Sequence, residues 1–381
     1  MAHKPYDPQD PTTVGLVKLK QFTFDSLTLE SGEVFGPVTV AYETYGRLND
    51  QKDNGILIFH ALTGDAHAAG YHSPQDRDPG WWDEMIGPGK AFDTNKYFVI
   101  CTNIIGGCQG SSGPSSIDPA TGRPYGMRFP IVTIRDMVAA QKRLLDFLGI
   151  EKLFATAGGS FGGMQLLQFA ADYPDMMDLN ILLAATASVD PREIAFDCVA
   201  RNAIMNDPNW NNGDYYDREE QPVQGLKTAR MIGLIQYFSE EYMRERYGRD
   251  FQKKEKPDFN WDIEFSIEGT LEYNAGQKFF DRFDPNSYLY ITKGMDYFDL
   301  NHHYGSMRKA FERTESKFLV ISFSSDWLFP PATMKKIVSA LRRAGRDVSY
   351  TEVETNKGHD AFLEEAEILT GLLSNFMEHA I

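Results

Sequence analysis

The sequence predicts an α/β fold, a mostly parallel sheet wrapped by helices and interrupted by a helical insertion. Three observations carry that prediction. Short apolar runs alternate with segments of helical spacing up to about residue 189; strand signal lapses between about 190 and 301; and it returns before a closing helix. The lead-in FTFDSLTLESGEVFGPVTVAYETYG alternates apolar and polar residues around Ser31-Gly32 and reads as a β-hairpin. GILIFHALTG and YFVICTNIIGG are apolar runs that close in glycine-bounded loops, as buried strands do. IRDMVAAQKRLLDFLGI has helical spacing and a C-cap at Gly149. KLFATAGGS is a third strand, MQLLQFAADYPD a helix stopped before Pro174, and LNILLAATA a fourth strand. In the insertion, helices are expected at REIAFDCVARNAIM, GLKTARMIGLIQYF, SEEYMRERYG and IEGTLEYNAGQKFF, joined by polar loops. KFLVISFSSD and DVSYTEVET restore the strand pattern, and FLEEAEILTGLLSNFMEHA closes the chain as one helix. The predicted division is a core of residues 1–189 and 302–381 around a helical cap of residues 190–301.

A chain of 381 residues with 42% hydrophobic and 13% aromatic residues fills a sizeable core. A formal charge of −16 argues against nucleic acid or an anionic membrane as partner, so an anionic ligand needs a local cationic pocket. Cys101, Cys108 and Cys198 have no paired spacing and point to a reducing compartment. No apolar run is long enough to span a bilayer and the N-terminus lacks an apolar signal core, so a cytoplasmic protein is expected.

The stretch ATAGGSFGGMQ decides the chemistry. A phosphate-binding Walker loop requires Lys and then Ser or Thr after its last glycine, where this chain has Met164-Gln165. A dinucleotide-binding loop belongs after the first strand and needs an acidic residue further on, which is missing. Gly158-Gly159-Ser160-Phe161-Gly162 instead fits G-x-S-x-G between a strand and a helix, the nucleophile elbow of the α/β-hydrolase fold. Glycines are needed there because the serine backbone is strained and the tight turn leaves no room for Cβ atoms. In this fold the partners follow in the order acid, then histidine. Asp326 ends the strand FLVISFSSD and His359 lies in NKGHDAFL before the last helix, so Ser160, Asp326 and His359 are the candidate triad. The oxyanion hole calls for the N–H of Phe161 and one from the loop FHALTG, with Leu62 as donor; the HGGG of many lipases is absent. His60, His67 and His72 fit no helical metal-ligand spacing and no metal is expected; Cys108 lacks an adjacent base and reads as a small buried residue.

HALTGDAHAAGYH, the long segment from Gly80 to Gly126, GGSFGGMQ and GHDAFL together resemble the homoserine O-acyltransferases, mostly acetyltransferases of methionine biosynthesis, from about Val14 to the final helix. One departure is Phe161, where the family usually has Met or Leu; a changed pocket wall is expected, with the backbone N–H retained.

The resemblance implies a ping-pong reaction with acetyl-CoA as co-substrate and no permanently bound cofactor. It implies that Arg230 binds the homoserine carboxylate, with Tyr237 nearby, and that Asp360 binds the amino group. A zwitterionic amino acid needs one cation and one anion, and Arg offers a bidentate fork. Arg201 is a weaker second candidate. The resemblance also implies a homodimer through the cap, for which ARMIGLIQYF is apolar enough, although that stretch could equally pack inside one chain. The same residues leave open succinyl-CoA as donor, serine as acceptor, and a plain esterase, which should lack the Arg230 and Asp360 pair.

Overall fold

Runs that are apolar at every position become strands buried on both faces. Gly55–Phe59 is buried at all five residues, with Leu57 and Phe59 in one core and Ile56 and Ile58 in the other. In the computed structural model, which describes residues 3–379, eight strands form one sheet, its two edge strands being largely exposed. In chain order they are β1 (Lys20–Phe24), β2 (Val38–Tyr45), β3 (Gly55–Phe59), β4 (Phe98–Thr102), β5 (Leu153–Gly159), β6 (Met177–Leu183), β7 (Lys317–Phe323) and β8 (Val348–Val353). The spatial order is β1-β2-β4-β3-β5-β6-β7-β8. Only β2 runs against the others, pairing Lys20 with Tyr42 on β1 and Glu43 with Cys101 on β4. Parallel pairing of β3 through β8 sends the loops after β3, β5, β7 and β8 to one edge of the sheet. A short hairpin, Leu27–Thr28 against Val34–Phe35, turns at Ser31-Gly32 as the alternation predicts.

Core helices begin and end where the caps dictate. α1 (Ile134–Leu148) starts with a capping box between Thr133 and Asp136 and ends at Gly149 in the left-handed region, φ 69°. α2 (Phe161–Asp172) starts directly after Ser160.

Between β6 and β7 the chain is helical. α3 (Pro191–Met205) opens with a second capping box, Asp190 with Glu193. It is followed by α4 (Val223–Tyr237), α5 (Glu240–Tyr247), α6 (Ser266–Ala275) and α7 (Pro285–Asp296). The two ends of this insertion are tied together: Val189 N donates to Phe298 O at 3.1 Å and Leu300 N to Ala187 O at 3.0 Å.

Four details differ from the sequence reading. The segment IEGTLEYNAGQKFF breaks at Gly276, and the closing helix breaks at Glu365 into Ala361–Glu364 and α9 (Ala366–His379). α7 was not anticipated, although Asp284 caps it and Pro285 stands at its first position, both signals of a helix start; ten of its twelve residues are buried. α8 (Pro331–Arg343) was not anticipated either, although Met334, Ile337, Val338 and Leu341 trace its buried face.

Candidate active site

Ser160 is the residue between β5 and α2, held at φ 58° and ψ −126°. A non-glycine residue in that region is strained, and the strain persists because neighbouring backbone packs too closely to relax. A Cβ on Gly162 would lie 2.1 Å from Phe59 O, and one on Gly158 would lie 2.5 Å from Gly162 O. The turn aims the Ser160 hydroxyl at His359, whose Nε2 is 2.7 Å from Oγ. His359 Nδ1 is 2.8 Å from Asp326 Oδ2, and Asp326 Oδ1 accepts from Leu328 N at 3.0 Å and Phe329 N at 2.9 Å. Asp326 and His359 are both buried. Burial works against the His359 imidazolium, but the facing Asp326 carboxylate outweighs it and raises the pKa. The structure therefore brings the three residues together from three loops at one sheet edge.

Leu62 and Phe161, the expected oxyanion donors, line a narrow pocket that Ser160 also lines. Phe161 N opens α2, so it has no acceptor one turn back within the helix. The Leu62 loop is set by His60, which is buried and accepts from Ile104 N at 3.3 Å. His60 O in turn takes a hydrogen bond from Gln165 on α2 at 3.1 Å, which ties that loop to the elbow helix.

Arg230 and Asp360 line a second, wider and more open pocket, with Arg246, Lys278 and Arg282 around it. Arg230 stacks over the rings of Phe279 and Tyr237 at 4.8 and 5.6 Å and reaches Thr63 Oγ1 at 3.3 Å. Its Nε is buried without a partner, and among the described residues no carboxylate lies within ion-pair distance of it. Tyr237 lines the inner pocket, with its ring 5.9 Å from that of His359, so it stands between the two spaces. Burial raises the Asp360 pKa, against the pull of His359 and Arg230. Arg201 is already taken, paired with Asp296 at 2.6 Å.

Sequence comparison settles what family carries this geometry. The alpha/beta hydrolase fold family matches residues 55–366. A homoserine O-acetyltransferase of Methanohalobium evestigatum is 53% identical over 368 residues, 96% of this chain and 74% of that protein. The crystal structure of homoserine O-acetyltransferase from Bacillus anthracis superposes with a TM-score of 0.89 at 33% identity, covering 96% of this chain and 98% of that one. Esterase E22 superposes with a TM-score of 0.87 at 31% identity, covering 95% of this chain and all of that one. The chain belongs to the homoserine O-acetyltransferase family.

Within this member of the homoserine O-acetyltransferase family, two acids that sequence reasoning missed share the inner pocket with Ser160. Glu193 and Asp197 on α3 line the inner pocket. Burial lifts the Glu193 carboxyl to about 7 and pushes Asp197 well above the carboxylate range, with the Asp296 charge adding to it. The capping-box pattern DPRE marks the start of α3, but nothing in it reports which face lines that pocket. The outer cations were also missed, since Arg246, Lys278 and Arg282 come from separate loops and helices. Phe161, the family departure, is 1% exposed and packs into the pocket wall. Burial raises the Cys108 thiol to about 12, consistent with a packing residue. His67 and His72 stand apart from His60 and both contact Glu43 on β2.

Proposed function

We propose that this protein transfers the acetyl group of acetyl-CoA to the hydroxyl of L-homoserine through an acyl-enzyme on Ser160. The carrying observation is the hydrogen-bonded Ser160–His359–Asp326 chain beside Arg230, which has no ion-pair partner among the described residues, in a chain of this family. His359 Nε2 takes the Ser160 proton as Oγ attacks the thioester carbon. The tetrahedral oxyanion is received by the N–H groups of Leu62 and Phe161. The C–S bond breaks and the CoA sulfur leaves with the proton from His359. The homoserine hydroxyl then gives its proton to His359 and attacks the acyl carbon, and Ser160 recovers its proton as the ester is released. Arg230 holds the homoserine carboxylate, Asp360 the ammonium, and Tyr237 supports the guanidinium. The product fits a role in methionine biosynthesis.

The residues 190–301 act as a cap that keeps water from the acyl-enzyme. Its support is the narrow inner pocket beside Ser160, which Tyr237 and Tyr288 from the insertion help to line. Acetyl rather than succinyl transfer is favoured by the inner lining, which holds Glu193 and Asp197 and no lysine or arginine to pair a second carboxylate. The anionic donor enters through the outer pocket, where Arg230, Arg246, Lys278 and Arg282 oppose the overall negative charge. A homodimer through the insertion is supported by Phe259, Trp261 and Tyr273, which are large, apolar and exposed there. A cytoplasmic location is supported by three free cysteines.

The likeness to esterase E22 favours hydrolysis as the second reading. Thiol release from acetyl-CoA and from succinyl-CoA, each with and without L-homoserine, separates the two. Release from acetyl-CoA that depends on homoserine supports the transferase; equal release without homoserine establishes hydrolysis; preference for succinyl-CoA overturns the donor assignment.

A further inference from the structure

Beyond the acyl-transfer site, the loop that follows β3 turns back across the sheet and meets Glu43 on β2. Glu43 is fully buried, and among the described residues no lysine or arginine pairs with it. Instead its Oε2 faces His67 Nδ1 at 3.0 Å and its Oε1 faces His72 Nε2 at 2.5 Å. The two imidazole rings lie against each other with centroids 3.9 Å apart. One nitrogen from each ring and a carboxylate oxygen fall within 4.8 Å of one another. The Tyr45 hydroxyl, 2.9 Å from Glu43 Oε2 and accepting from Ala68 N at 2.7 Å, fixes the carboxylate from behind.

We propose that Glu43, His67 and His72 bind a divalent transition-metal ion of the zinc class, which pins the loop of residues 60–72 to β2. Two imidazole nitrogens and one carboxylate oxygen form a donor set suited to zinc, with a further position open to water. The His72 side chain is 45% exposed, which leaves a path for the ion and for that water. Two imidazoles aimed at one carboxylate must each carry a proton at the nitrogen that faces it. An ion takes the place of both protons and accepts both lone pairs, and Tyr45 then orients the carboxylate ligand. Spacing could not reveal the site, because its third ligand lies on a strand 24 residues before His67. The ion has no part in the chemistry at Ser160. Its effect is structural: Leu62 and Thr63 stand at the start of the same loop, and a fixed far end steadies both.

The test is direct binding to the full chain. Protein stripped with chelator is titrated with ZnCl2 and separately with MgCl2, read by calorimetry, by metal content after gel filtration and by the unfolding temperature. One zinc per chain, a dissociation constant on the order of micromolar or tighter, and a higher unfolding temperature with zinc but not magnesium are expected. His72→Ala, at an exposed position, should weaken binding about 100-fold or more and abolish the thermal shift, and Glu43→Gln should do the same. No zinc uptake by the wild type overturns the proposal. Equal uptake by wild type and His72→Ala also overturns it, since the ion then sits elsewhere. Should Glu43→Gln fail to fold, His67→Ala serves as the second variant, read in the same way.

Discussion

Ser160, His359 and Asp326 form one hydrogen-bonded chain, so their substitutions should not behave additively. Ser160→Ala is expected to lower kcat by several orders of magnitude while leaving homoserine binding in place, checked by thiol release and by calorimetry. Neutral His359 is the form that accepts the serine proton, and its pKa lies above the ordinary imidazole value. Activity should therefore fall as pH drops through that raised value. In Asp326→Asn the burial that opposes the imidazolium is left without its counterweight, so the acid limb of the kcat/KM profile should move to lower pH. The same variant should lose about four orders of magnitude in kcat, because the imidazole is no longer held in the productive tautomer. Arg230→Lys keeps the charge but loses the fork and the stacking on Tyr237 and Phe279; the KM for homoserine should rise by about tenfold or more, with a smaller change in kcat.

At the scale of elements, the active geometry depends on close backbone approaches. The β5–α2 turn lets the backbone of Gly162 pass against Phe59 on β3. Gly162→Ala should lower the unfolding temperature and kcat together, read by calorimetry and thiol release, because strand and helix must separate to admit the methyl group. Gly358 plays the same part between core and insertion. It sits at φ 75°, and a Cβ there would lie 2.4 Å from Tyr237 O at the end of α4. The insertion is thus docked on the very turn that carries His359, with Trp327 Nε1 donating to Phe238 O at 2.9 Å nearby.

For the whole molecule, charge is the governing quantity. A chain at −16 carries a cluster of cations beside the candidate site, so binding of an anionic donor should weaken with salt. Arg246→Ala and Lys278→Ala should raise the KM for acetyl-CoA, more at low ionic strength than at high, and leave the homoserine KM little changed. Steady-state kinetics across a salt series reads both effects. The fold class, the succession of strands and helices along the chain, the elbow and the meeting of Ser160, Asp326 and His359 were legible in the chain itself. Each is a local pattern: an apolar run, a glycine-flanked serine, an acid or a histidine at the end of a strand. The acids Glu193 and Asp197, the freedom of Arg230 against the engagement of Arg201, the outer ring of cations and the meeting of Glu43 with His67 and His72 were decided only by tertiary structure. They depend on which face of a helix or loop turns toward a strand distant in sequence. Periodicity says that a face is buried, whereas only packing says against what.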